Sequence, residues 1–151
     1  MARFRSMRRR FIARPKRNAE RIVRAGSSTV PAASQVVAYT YVATEACVVK
    51  SLKLDTGVTV GTPSGVPYVM VHVREGYNVN NITYPAITTD LYNPTADVLI
   101  SGILTDNSVE DHKYNMIGRK LKAGDRIALI YYSTAGSEVS VQFELNFSVL
   151  T

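Results

Sequence analysis

The sequence predicts an all-β domain behind a cationic amino-terminal arm, and three observations carry that reading. From Val139 to Val149 every second residue is apolar (Val139, Val141, Phe143, Leu145, Phe147, Val149), and Ser140, Gln142, Glu144, Asn146 and Ser148 lie between them. Period two over eleven positions marks a strand with one face on a core. Weaker runs rich in Val, Ile and Tyr recur at about 36–44, 47–54, 67–74, 97–104, 113–121 and 126–132, giving about seven strands and no helical pattern after Gly26. Finally, the 151 residues divide sharply by charge. Together these describe one sandwich or barrel with an appendage.

The charge division falls early in the chain. Residues 1–26 hold ten basic side chains (Arg3, Arg5, Arg8, Arg9, Arg10, Arg14, Lys16, Arg17, Arg21, Arg24) against Glu20, a net of +9. The other 125 residues carry eight basic and eleven acidic side chains, a net of −3. A mildly acidic body with a polycationic arm suits a polyanionic partner held by the arm alone. Arginine dominates, and its planar guanidinium binds phosphate oxygens in pairs and stacks on bases. These ten residues form the expected nucleic-acid-binding set, acting mainly through counterion release and with little regard to base sequence.

Within the arm, Phe4, Met7 and Phe11 fall at helical spacing with Ile12 beside them, which permits a basic amphipathic helix. Pro15 favours a break and a second helix ending near Gly26, with Arg17, Arg21 and Arg24 on one face. The arm is therefore expected to be partly helical or disordered. A mitochondrial transit peptide and a membrane-surface helix share this composition, and the same clusters serve as a nuclear localisation signal. Residues 27–35, small and polar with Pro31, read as a linker, so the chain divides into arm 1–26, linker 27–35 and β domain 36–151.

Turn chemistry separates the strands. Lys122-Ala123-Gly124-Asp125 reads as a tight turn, and Ser133-Thr134-Ala135-Gly136-Ser137 as a hairpin loop between two strong strands. Residues 55–66, with Gly57, Gly61, Pro63 and Gly65, and residues 75–96, with Tyr77, Tyr84 and Tyr92, read as long loops. The three tyrosines and the scarcity of charge suit a subunit interface, and a loop folded over its own sheet explains them equally well.

Catalytic chemistry finds little footing. His72 shares a strand face with Tyr68, Met70 and Arg74 and reads as a packed or interface histidine, and His112 sits among charged residues forty positions away. No nucleophile elbow and no phosphate-binding glycine motif is present. Asp106, Glu110 and Asp111 could offer oxygen ligands to Ca²⁺ between subunits but lack the spacing of a known loop. The lone Cys47 reads as a small buried hydrophobe and rules out an intrachain disulfide framework. The expectation is a non-enzyme with no catalytic residues, no metal and no cofactor.

The order of pieces resembles a known family. An Arg-rich arm precedes a β-only domain containing Tyr68-Val69-Met70-Val71-His72-Val73-Arg74-Glu75-Gly76, then Leu91-Tyr92-Asn93-Pro94 leading to Asp97-Val98-Leu99-Ile100-Ser101-Gly102, then Gly118-Arg119-Lys120-Leu121-Lys122-Ala123-Gly124-Asp125-Arg126-Ile127-Ala128-Leu129-Ile130. This resembles the small jelly-roll capsid proteins of circular single-stranded DNA (CRESS-DNA) viruses, whose architecture is shared with satellite plant virus coat proteins. The similarity spans roughly residues 36–151 in order of elements, and the arm matches in composition only.

The resemblance implies an eight-stranded antiparallel jelly roll of two four-stranded sheets, with one strand beyond the seven counted, expected in the long loops. It also implies a homo-oligomer of about sixty copies, a T=1 icosahedral virion shell whose arms hold a single-stranded genome, DNA more than RNA. Assembly in the host nucleus follows from the same resemblance, whereas the receptor is not specified by it. A reading from another class is a cellular jelly-roll module that binds a ligand or sugar, with the arm as a targeting peptide. A shell would sediment at millions of daltons, a trimer near 50 kDa.

Overall fold

The structure, a computed structural model, describes residues 18–60, 65–82, 96–105, 110–134 and 136–151. Eight strands run in the order β1 (Ala19–Val30), β2 (Gln35–Val42), β3 (Cys47–Val60), β4 (Val66–Val73), β5 (Ala96–Leu104), β6 (Glu110–Leu121), β7 (Arg126–Tyr132) and β8 (Val139–Leu150). They form two four-stranded antiparallel sheets, β1-β8-β3-β6 and β2-β7-β4-β5. The pairings β1 with β8, β2 with β7, β3 with β6 and β4 with β5 describe one long two-stranded ribbon. Rolling that ribbon adds the contacts β3 with β8 and β4 with β7. This is the jelly-roll sandwich.

The core is built by alternation. All six apolar odd-numbered residues of β8 are buried, Val139 to Val149, and they face Tyr68, Met70, Ile127, Leu129 and Tyr131 of the opposing sheet. Leu52 and Leu54 of β3 and Leu104 of β5 complete the centre. Aromatic packing joins the sheets: Tyr41 meets the Phe147 ring edge-on at 5.3 Å between centroids. Two buried hydroxyls are satisfied inside the sandwich. Tyr131 and Thr56 Oγ1 lie 2.5 Å apart, and Tyr68 donates to Asp111 Oδ2 at 2.5 Å. Burial pushes both tyrosine hydroxyls far above their ordinary ionisation range, and for Tyr68 the Asp111 carboxylate adds to the rise.

Gly102 in β5 lies opposite Tyr68 of β4. A Cβ there would collide with the Tyr68 hydroxyl, so the bond to Asp111 depends on glycine at this position.

The eighth strand is the element the sequence places elsewhere. Ala19–Val30 is strand β1, paired with β8 along its whole length from Ala19↔Leu150 to Val30↔Val139. The helix expected to end near Gly26 is thus corrected for its Ala19–Gly26 part, and the same strand runs on through Ser27–Val30 of the expected linker. Tertiary pairing decides this, since β8 offers a complete row of backbone partners. The earlier part of the arm, residues 1–17, lies outside the described residues.

Two further expectations are corrected, and one of the two readings of the 75–96 loop is met over Val79–Ile82. The loop expected at 55–66 is strand up to Val60, because Thr56 turns inward to bond Tyr131 and also donates to the Gln142 carbonyl at 2.9 Å. The 133–137 connection is no hairpin, for β7 and β8 belong to different sheets and the segment crosses between them. Within 75–96, a 3-10 turn at Val79–Asn81 packs Val79 and Ile82 on Val69, Val71, Val73, Ala128 and Ile130, forming a second apolar cluster on the outer face of β4 and β7. That part of the loop folds back over its own sheet. The turn at Lys122–Asp125 forms as expected, with Gly124 at φ +88° and Asp125 N–H bonded to the Lys122 carbonyl at 3.1 Å.

Candidate nucleic-acid interface

Of the ten arm cations, Arg3, Arg5, Arg8, Arg9, Arg10, Arg14, Lys16 and Arg17 lie outside the described residues, and Arg21 and Arg24 lie in β1. Three positions apart on a strand, these two occupy opposite faces, and not the common face that a helix would give them. Arg21 points away from the core and donates from Nε to Asn146 Oδ1 at 3.0 Å. Arg24 takes the inward parity at the exposed edge, beside Tyr39 of the other sheet. Burial raises the Tyr39 hydroxyl, and the Arg24 guanidinium partly offsets the rise.

The arm joins the body at a defined place. Thr151 N–H bonds the Asn18 carbonyl at 3.1 Å, so the chain enters β1 where β8 ends. The same end of the sandwich holds the start of β3, the ends of β4 and β6 and the β6–β7 turn, and they enclose a cavity of about 1000 Å³. Its wall includes the cations Arg74, Arg119, Lys120 and Lys122, the acids Glu75, Asp97 and Asp125, and His72, Tyr77 and Thr151.

His72 is 5% exposed, a packed histidine as expected. Its Nε2 lies 3.0 Å from Asp125 Oδ2, and its Nδ1 lies 3.6 Å from Asp97 Oδ2 without a hydrogen bond. Asp125 is fixed by more than the histidine. Its Oδ1 accepts from Glu75 N–H at 3.0 Å and its Oδ2 from Lys122 N–H at 2.9 Å. Burial alone would raise this carboxyl. The two backbone donors and His72 outweigh burial and hold it below the usual carboxylate range. Asp97 is ion-paired with Arg119, so β5 is tied to β6 directly across the gap between the sheets.

The sequence reads as a mildly acidic body and does not single out Arg74, Arg119, Lys120 or Lys122 as a group. They are four of the eight basic residues after position 26, gathered at one cavity. Three of them fall in Gly118-Arg119-Lys120-Leu121-Lys122, a local signal that was legible. The approach of Arg74 from another strand was not.

The expected interface tyrosines are only partly placed. Tyr77 is 49% exposed and lines the cavity, whereas Tyr84 and Tyr92 lie outside the described residues. Cys47 is buried at the start of β3, and burial pushes its thiol up. Among the described residues no group of three metal-ligand side chains gathers. Of the three acids considered for Ca²⁺, Asp106 lies outside the described residues and Asp111 is engaged by Tyr68 and by Lys113 at 3.3 Å. On the outer face of β6, His112 Nδ1 meets Asp55 Oδ1 at 2.9 Å, and Lys53 Nζ reaches the same carboxylate at 2.6 Å. Both the His112 and Lys53 side chains are mostly open to solvent.

Compared with known proteins, the chain matches no family model and no curated sequence.

Proposed function

We propose that the chain is a viral coat protein that assembles from many copies into a small icosahedral shell and packages a single-stranded genome, DNA more than RNA, through its Arg-rich arm. The observation that carries this reading is the partition of charge about the fold. Residues 1–17 hold eight basic side chains and no acid, while residues 18–151 carry a net of −2. The polycation is attached at one end of a complete jelly-roll sandwich, next to Thr151. Such a tether lets the body associate with its copies while the arm follows a flexible polyanion.

The body's surface supports self-association. Strands β5 and β6 are the edges of the two sheets on one side, and they carry exposed Val98, Ile103, Tyr114 and Met116. Apolar side chains on unpaired strand edges favour burial against another chain. Many weak contacts of this kind gain strength when arms on a shared nucleic acid hold the subunits together. The virion is the destination, with the basic clusters serving nuclear import in the host.

The test is the mass of the purified full-length protein, with nuclease treatment of whatever accompanies it, and the same measurement on a chain lacking residues 1–17. The cut falls before Ala19, since removal through Gly26 would take eight of the twelve residues of β1. The full chain is expected as particles of millions of daltons containing nuclease-sensitive material. The truncated chain is expected folded but without tight, salt-sensitive binding to single-stranded DNA. Equal DNA binding by the two chains at moderate salt would refute the packaging role of the arm. A nucleic-acid-free trimer near 50 kDa would favour a ligand- or sugar-binding module.

A further inference from the structure

We propose that the cavity beside the arm's root is a fixed binding site for one nucleotide of a single-stranded nucleic acid, with Arg74, Lys120 and Lys122 on the phosphates and Tyr77 stacking on the base. This rests on the packaging role proposed above and adds a second, ordered element to it. Of the cavity's charged groups, Arg119 is paired with Asp97, and Asp125 is occupied by His72 and two backbone amides. Glu75 packs its side chain against Gly124. Among the described residues no ion pair engages Arg74, Lys120 or Lys122, and all three are exposed. Cations so placed attract an anion and lose little on meeting it.

A second observation is independent of this charge. Two buried polar atoms of cavity-lining residues lack hydrogen-bond partners: His72 Nδ1, on a side chain 7% exposed, and Arg119 Nε. Buried polar atoms are normally satisfied. Arg119 Nε–H is a donor that the protein leaves without an acceptor. His72 is fixed by Asp125 from its other nitrogen, so its Nδ1 cannot turn elsewhere. The remaining wall suits a base. Tyr77 is half-exposed at the cavity, and its carbonyl is held by Arg126 Nη1 at 3.2 Å. Aromatic platforms flanked by cations bind single strands with little base preference. A volume of about 1000 Å³ accommodates a nucleotide.

Position links the site to the arm. Thr151 lines the cavity and bonds Asn18, so the site lies beside the point where the arm joins the sandwich.

The experiment uses the full-length chain and a tetradeoxynucleotide carrying one 5-bromodeoxyuridine, with photocrosslinks mapped by mass spectrometry and affinity followed over salt. The expected adduct is on Tyr77. It should vanish in Tyr77→Ala and in the triple variant Arg74→Ala/Lys120→Ala/Lys122→Ala, with affinity down about tenfold in either. The triple variant should also flatten the log–log salt slope by about 2 units, roughly 0.7 for each lost phosphate contact. Adducts confined to residues 1–17 with an unchanged slope would overturn the cavity site and leave the arm's role standing. A Tyr77 adduct that survives the triple variant would overturn the phosphate contacts. No measurable affinity for the oligonucleotide in any variant would overturn both readings.

Discussion

Strands β1 and β8 are paired residue for residue over twelve positions, yet they reach that pairing by different means. β8 brings its own inward face: Val139, Val141, Phe143, Leu145, Phe147 and Val149 are all buried. β1 brings only Ile22 and Val30 as buried hydrophobic side chains, and its other inward positions are Glu20, Arg24, Gly26 and Ser28. One strand is specified by side-chain burial, the other by the row of backbone donors and acceptors its neighbour leaves open. A strand that depends on its partner in this way is free to carry arginine, which is how the end of a polycationic arm can be part of a sandwich.

The sharpest way to break the comparison is to empty the same layer from each side. Phe147→Ala in β8 removes a ring that is 0% exposed and packed edge-on by Tyr41, and is expected to cost about 3–5 kcal/mol of unfolding free energy. Ile22→Ala, at the paired position in β1, should cost less, about 2 kcal/mol, because the edge strand can settle into the space. Denaturant titration of both variants decides the matter. If Ile22→Ala proved the more damaging, β1 would be an independent contributor to the core and not a dependent one.

The same asymmetry explains what could be read from the sequence. Seven strands were legible because each shows period-two or continuous apolar character, as in Val139–Val149 and Val66–Val73. β1 was not, because Arg21, Arg24 and Ser27-Ser28 give no alternation, and Pro15 with Gly26 imitates the limits of a helix. Periodicity reports burial of side chains and is silent on backbone pairing. At the cavity, Arg119, Lys120 and Lys122 were visible as a local run, and His72 was recognised as packed. Its partners Asp97 and Asp125 were not identifiable, since they lie 25 and 53 positions away and are brought together only by the rolled ribbon. Tyr77 stood out by type, but that Arg74 and Lys122 line one cavity with it was not readable from the sequence.

A milder perturbation probes where the two strands touch. Gly26 of β1 lies opposite Phe143 of β8, and a Cβ on it would stand 2.9 Å from Phe143 Cζ. Gly26→Ala must therefore displace a ring that is 7% exposed and lies against Tyr39 at 6.3 Å between centroids. The expected cost is about 1–2 kcal/mol, seen as an earlier denaturant midpoint with an unchanged slope. Unaltered stability would mean that the ring moves freely outward and that β1 lies more loosely on β8 than its full register suggests. Glycine there has a reason beyond backbone freedom, because the aromatic side chain of the partner covers the position.

The smallest expected effect lies on the outer face, where Arg21 Nε bonds Asn146 Oδ1 across the same pair. Both side chains are solvent-accessible to some degree, and such a bond contributes at most about 0.5–1 kcal/mol. Arg21→Gln removes the charge and keeps a side-chain N–H donor, so stability should change by less than about 0.5 kcal/mol. Binding to single-stranded DNA should nonetheless weaken if Arg21 acts with the cations of the arm, with a salt slope lower by about 0.7. A measurable loss of stability without any change in slope would assign Arg21 to the sandwich alone and end the cationic arm before β1. The two readouts thus place the boundary between packing and polyanion capture at a single residue, in the strand that takes part in both.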